Sequence, residues 1–202
     1  MEGIFFYWLT WSFWIITTFF LNKRNPYRFG LSFSLLCLIC LSPYTINVYG
    51  INVSCSSLFT LTITYLYVAI FQVKKVISFI VGTGILMLAY FSFLLFEIYD
   101  PIWVIFKREW LLAGLFTLLV MTLQKQLKIR VMMIIQAYIQ GDILFAGLLQ
   151  TYSMPYAAGS AALMDVIMIT SGSLLAVAGL HRFIEKTGKL INSLEKGKHK
   201  TI

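Results

Sequence analysis

The feature that most limits what this chain can fold into is a series of seven apolar runs, at 3–21, 29–46, 56–73, 76–96, 110–124, 130–150 and 159–180, joined by short connections. A bilayer crossing needs about 20 mainly apolar residues. Inside hydrocarbon every backbone polar group must find a partner within the protein. The runs therefore predict an all-α fold, a polytopic transmembrane helix bundle of seven spans (residues 1–180). Composition agrees: 59% of the 202 residues are hydrophobic and 12% charged, against about 25% charged in a soluble domain. That excess cannot be hidden in one water-soluble core.

The placement of Lys and Arg sets a direction. Lys23, Arg24 and Arg28 follow the first run, and Lys74 and Lys75 the third. Lys125, Lys128 and Arg130 follow the fifth, and Arg182, Lys186, Lys189, Lys196, Lys198 and Lys200 the seventh. If the spans alternate, these 14 of the 16 basic residues share one side. Lys107 and Arg108 lie on the other, beside Glu97, Asp100 and Glu109. Cytoplasmic loops retain Lys and Arg, so the N-terminus is expected outside and the C-terminus inside, in the cell (plasma) membrane. A net charge of +8 would point to nucleic acid in a soluble protein; here topology explains it, and no nucleic-acid partner is expected. Glu2, the missing cleavage site and a basic cluster placed after the apolar run mark the first run as a retained span, not a signal peptide.

The tail, 181–202, spaces Phe183, Ile184, Leu190, Ile191 and Leu194 helically, with Lys186, Lys189, Lys196, Lys198 and Lys200 between and beyond them. This reads either as an amphipathic extension held on anionic lipid at the inner surface or as a solvated basic tail that fixes topology. Cys37 and Cys40 fall inside an apolar run without further ligands, so they read as small buried apolar side chains. No metal site and no cofactor are expected.

Polar side chains inside the runs are the functional candidates. An ionised carboxylate at mid-span costs about 2.5–3.5 kcal/mol and should face protein or water. In the sixth run Gln136 and Gln140 lie on one stripe, and Asp142 on another with Tyr138; polar groups on two faces imply a helix surrounded by others. In the seventh, Asp165 shares a stripe with Gly172, Ala176 and Gly179, a small-residue seam suited to helix packing. The loop between these runs is short, so Asp142 and Asp165 are expected to be neighbours in the outer half. Ser57, Thr60, Thr64 and Tyr67 form a stripe on the third run that either lines a polar path or bonds back to its own helix.

Three functions follow from these features. Short loops, packing seams and the basic tail favour a non-enzymatic protein that associates with a membrane partner or with itself, in assembly or regulation. A small transporter or proton-coupled carrier using Asp142 and Asp165 is the alternative. An intramembrane aspartyl enzyme is remote. Tyr99–Asp100 and Gln140–Gly141–Asp142 resemble its motif pair only in part, because Ile139 replaces the first glycine and no Pro-Ala-Leu follows.

The opening "MEGIFFYWLTWSFWIITTFFL", the immediate "NKRNPYR", the length and the basic tail together resemble the YphA-like family of small multi-pass membrane proteins of Bacillus-type bacteria. The resemblance covers most of the chain but rests on no diagnostic motif. It implies an integral protein of a Gram-positive plasma membrane and carries over no catalytic or binding residue.

Overall fold

A computed structural model describes residues 3–22, 25–71, 73–100 and 107–198, without the side chains of 73, 74 and 189–198. Expectations for Lys23, Arg24 and Lys200 lie outside the described residues, as do the side chains of Lys189, Lys196 and Lys198.

Each apolar run becomes one helix. The order is α1 (Ile4–Ile15), continued by a π turn (Ile16–Phe20), α2 (Tyr27–Leu41), α3 (Cys55–Val68), α4 (Val73–Tyr99), α5 (Arg108–Leu123), α6 (Leu127–Thr151) and α7 (Ala161–Lys198). Three stretches are long and apolar enough to cross a membrane: Lys75–Tyr99, Leu127–Thr151 and Ala161–Gly188. Ile4–Phe20, Tyr27–Leu41 and Cys55–Ala69 are shorter apolar helices. The outer face is apolar, with Trp8, Phe20, Phe29, Leu118 and Phe96 largely exposed. A surface of this kind on a water-soluble monomer would be an aggregation hazard; against acyl chains it is matched.

Hydrogen bonds between helix ends show that α1 and α2 run antiparallel, as do α5 and α6. At one end the Tyr7 hydroxyl donates to Ser42 Oγ at 2.9 Å, joining the start of α1 to the end of α2. At the other, Arg28 donates to the Thr18 carbonyl and Arg130 donates to the carbonyls of Gln124 and Met121. Each arginine, in the first turn of a helix, thus covers carbonyls orphaned at the end of the preceding one. In the middle, Thr117 and Ser173 join α5 to α7 at 2.6 Å.

The second and third runs are shorter as helices than as apolar stretches. Pro43 stops α2, and the residues after it form an antiparallel hairpin, β1 (Thr45–Val48) with β2 (Ile51–Ser54). Its two-residue turn holds Tyr49 at φ 52° and Gly50 at φ 86°, the left-handed pair that matches strand twist. A third short strand, β3 (Ala157–Ala158), lies parallel to β2 with Asn52 opposite Ala157. The short connection after the second run is thus part of a three-stranded cap over one end of the bundle.

Helix α6 is the hub. It touches α3, α4, α5, α7 and the cap strands β2 and β3, as polar groups on two of its faces imply. It approaches α4 closely at Gly141, where an added Cβ would sit 2.8 Å from the Tyr90 ring and 3.1 Å from the Met87 carbonyl. Around it Tyr90, Phe116 and Tyr138 form an aromatic cluster with ring centroids 4.8–6.0 Å apart.

Helix α7 runs unbroken from the capped end into the basic tail. At about 1.5 Å per residue its 38 residues extend about 57 Å, well beyond a hydrocarbon core of about 30 Å. Residues 181–188 are exposed.

Candidate functional site

The candidate site is the polar layer beneath the strand cap, built around two buried carboxylates. Asp142, 1% exposed, lies in the last third of α6. Its Oδ1 accepts from the Tyr156 hydroxyl at 2.6 Å, and its Oδ2 accepts from the Gly159 N–H at 2.7 Å. Gly159 has φ 72°, and an added Cβ there would lie 2.5 Å from Ser57 Cβ. Glycine is thus required on both counts. The α6–α7 connection is thereby tied at two points to the helix it has just left. Burial, and then the nearby Asp142 carboxylate, push the Tyr156 hydroxyl above its ordinary range, so it remains a proton donor at any physiological pH.

Beside Asp142 lies a cavity of about 160 Å³. Tyr90, Arg108, Glu109, Asp142, Tyr156 and Ser160 supply its polar lining. Arg108 is held by Glu97, Nε to Oε2 at 3.2 Å. The space suits a few waters or a small ion, and is below the range of about 300–1,000 Å³ typical of organic-ligand pockets.

Asp165 has separate partners. Its Oδ2 accepts from the Gly3 N–H and its Oδ1 from the Phe6 N–H, both at 2.7 Å. Gly3 is the N-cap of α1 and has no side chain to cap with. The carboxylate on α7, more than 150 residues away in sequence, supplies the cap and places a negative charge at the positive end of the α1 dipole. Among the described residues no hydrogen bond or ion pair joins the two aspartates, and Asp165 does not line the cavity. They occupy the same end of the bundle but not one shared site, because Asp142 is engaged by a hydroxyl and an N–H of the α6–α7 connection and Asp165 by two N–H groups at the start of α1.

The remaining candidates divide by partner. Gln140 donates to Gln136 Oε1 at 2.6 Å and to the Tyr65 hydroxyl, and Gln136 donates to the Leu61 carbonyl at 3.3 Å. This ladder fastens α6 to α3, and Tyr65 was not singled out by the sequence. The Tyr138 hydroxyl lies 3.3 Å from both the Leu112 carbonyl and Thr170 Oγ1, joining α5, α6 and α7. Thr60 and Thr64 donate to carbonyls four residues back at 2.7 Å, which is the local alternative to a polar path. Tyr67 is exposed and meets Phe71 edge-on.

The small-residue seam is not a contact between helices of this chain. Gly172, Ala176 and Gly179 are exposed, and nothing lies within 4 Å of a Cβ added at either glycine. The close approach of α7 occurs nearer its start, where Ala161 Cβ lies 3.0 Å from a Cβ added at Gly3. Lys186 is exposed on the tail segment of α7. Cys37 and Cys40 are free, the first half-buried and the second exposed, not enclosed as expected. Among the described residues no three His, Cys, Asp or Glu side chains gather as a metal site.

Comparison with known proteins places this architecture. The family described as "YphA-like integral membrane protein" matches residues 2–200. One relative, "Uncharacterized protein YphA" of Bacillus subtilis (strain 168), is 27% identical over 161 residues, covering 79% of this chain and 78% of its own. No solved structure matches. With a family match over nearly its whole length, this chain belongs to the YphA-like integral membrane protein family.

Proposed function

We propose that this protein crosses the plasma membrane seven times, with the strand cap outside and the basic end in the cytoplasm, and acts without catalysis by associating with a second membrane helix. In this reading the four shorter helices cross as well, their ends completed by the cap and the aromatic rim. Arg28, Lys75, Lys125, Lys128, Arg130, Arg182 and Lys186 lie at the end opposite the cap, where the positive-inside tendency places the cytosol.

The observation that carries the associative role is the open face of α7. Gly172, Ala176 and Gly179 present backbone, not side chain, to the bilayer. Helices in lipid associate through such surfaces, because close approach maximises dispersion contacts where no hydrophobic drive exists. Both aspartates are supporting observations, since their oxygens already accept hydrogen bonds from the protein itself.

The test is disulfide trapping in native membranes. In a background lacking Cys37, Cys40 and Cys55, Ala176→Cys should give a cross-linked species of at least twice the chain's mass. A cysteine on the exposed side of α4, Ile80→Cys, should not. Exclusively monomeric Ala176→Cys under oxidation would contradict the associative role.

A further inference from the structure

At the basic end the first helix closes with the π turn Ile16–Phe20, in which the Leu21 N–H reaches back to the Ile16 carbonyl at 3.1 Å. Such turns are frequent at functional positions because they displace carbonyls from the regular ladder. One of those carbonyls, that of Thr18, accepts from the Arg28 guanidinium. The Nε of the same guanidinium is buried and has no acceptor among the described residues. An arginine presents five donors in a rigid fork, so one carbonyl leaves most of its capacity unused.

Next to this fork is a cleft of about 260 Å³ lined by Thr18, Asn25, Arg28, Phe29 and Ser32. Among the described residues its polar groups are one cation, two hydroxyls and an amide, with no carboxylate in the lining. The hydroxyls are close to one another, Thr18 to Ser32 at 3.3 Å and Ser32 to Thr17 at 3.2 Å. The cleft also opens at the start of α2, where Asn25 Oδ1 accepts from the Tyr27 N–H at 3.1 Å, leaving the Asn25 amide N–H groups to donate, and where the helix dipole favours an anion. Around the polar centre the surface is aromatic: Phe19, Phe20 and Phe29 are each at least 72% exposed, and Phe29 stacks on Phe33 at 6.2 Å.

We propose that this cleft binds a phosphate group, clamped by the Arg28 fork and hydrogen-bonded by Ser32, Thr18 and Asn25. A tetrahedral oxyanion satisfies the idle guanidinium donors and accepts from the hydroxyls, the pairing for which Arg is suited. The phosphate has two possible sources, the phosphodiester of an anionic lipid whose chains would lie along the aromatic rim, or free inorganic phosphate. The site is independent of the α7 face invoked for association.

Native mass spectrometry of the full chain, ejected from nanodiscs of equal phosphatidylglycerol and phosphatidylcholine, tests this. The wild-type protein should retain one phosphatidylglycerol, and Arg28→Gln should lower the bound fraction about tenfold, as expected for loss of a charge-assisted pair. Lys128→Gln removes equal charge from the exposed start of α6 at the same end and should stay within about twofold. Displacement of the lipid by millimolar inorganic phosphate assigns the cleft to the free ion, and retention assigns it to lipid. Equal losses in Arg28→Gln and Lys128→Gln, or no loss in either, would overturn the proposal. Because Arg28 also covers the end of the first helix, Ser32→Ala provides a second variant that leaves the arginine in place. It should weaken phosphate binding a few-fold, and unchanged binding in it also overturns the proposal.

Discussion

Asp165→Ala should destabilise the protein more than any other single truncation of a polar side chain, by about 2–5 kcal/mol. The reason is the number of groups it orphans. Gly3 and Phe6 each lose the acceptor of a 2.7 Å hydrogen bond in a buried setting. An unmet buried donor costs about 1–3 kcal/mol, more in a bilayer where no water can replace the partner. The charge at the α1 N-terminus is lost as well. Asp165→Asn keeps one acceptor oxygen and should lose roughly half as much. The measurement is the thermal unfolding midpoint in detergent together with thiol accessibility of a cysteine at Thr10, which is fully buried in the intact protein. Asp165→Ala should expose that position at temperatures where the rest of the bundle remains folded. An unchanged midpoint and a still-protected Thr10→Cys would show that the α1 cap is dispensable.

The second large effect is at Asp142, and it differs in kind. Asp142→Ala frees the α6–α7 connection instead of a helix, since it removes the acceptor for the Tyr156 hydroxyl and for the N–H of Gly159. We expect a loss of about 2–4 kcal/mol, with proteolytic cleavage within 151–160 rising before global unfolding. Tyr156→Phe removes one of the two bonds and should cost about 1–2 kcal/mol. The double variant should cost less than the sum of the singles, because the hydroxyl and carboxylate are direct partners. Strict additivity would mean that the 2.6 Å contact contributes nothing to holding the connection.

These two residues also show what was legible in the sequence. Their presence in apolar helices, and the centrality of α6, followed from hydropathy and from polar groups on two faces of one run. Their roles did not, because each partner is remote or is backbone. The N-terminus of α1 offers Gly3 where Ser, Thr or Asp would signal a cap, and an uncapped helix and an orphan aspartate are two halves of one signal that only tertiary structure joins. The expected encounter of Asp142 with Asp165 assumed that a short loop makes side chains neighbours. The loop does keep α6 and α7 adjacent, but it is itself the partner of Asp142.

The strand cap was missed for a different reason. "NVYGINV" carries β-branched residues around a turn with Gly at its second position, a hairpin pattern, yet the apolar run before it extends to 46, past Pro43 and over the first residues of β1. Hydropathy alone does not separate the last turn of a span from the first strand beyond it; Pro43 does. The seam of Gly172, Ala176 and Gly179 was read as suited to helix packing, and in the structure it faces outward, since periodicity gives the face of a helix and not what covers it.

The sidedness of the bundle underlies both the associative reading and the depth given to each polar layer. It is tested most directly by labelling intact cells with a membrane-impermeant maleimide, using single cysteines in a background lacking Cys37, Cys40 and Cys55. Tyr49→Cys at the exposed hairpin tip should label in intact cells, and Thr187→Cys on the exposed tail of α7 only after permeabilisation. Labelling of Thr187→Cys in intact cells, with Tyr49→Cys protected, would contradict a basic end in the cytoplasm.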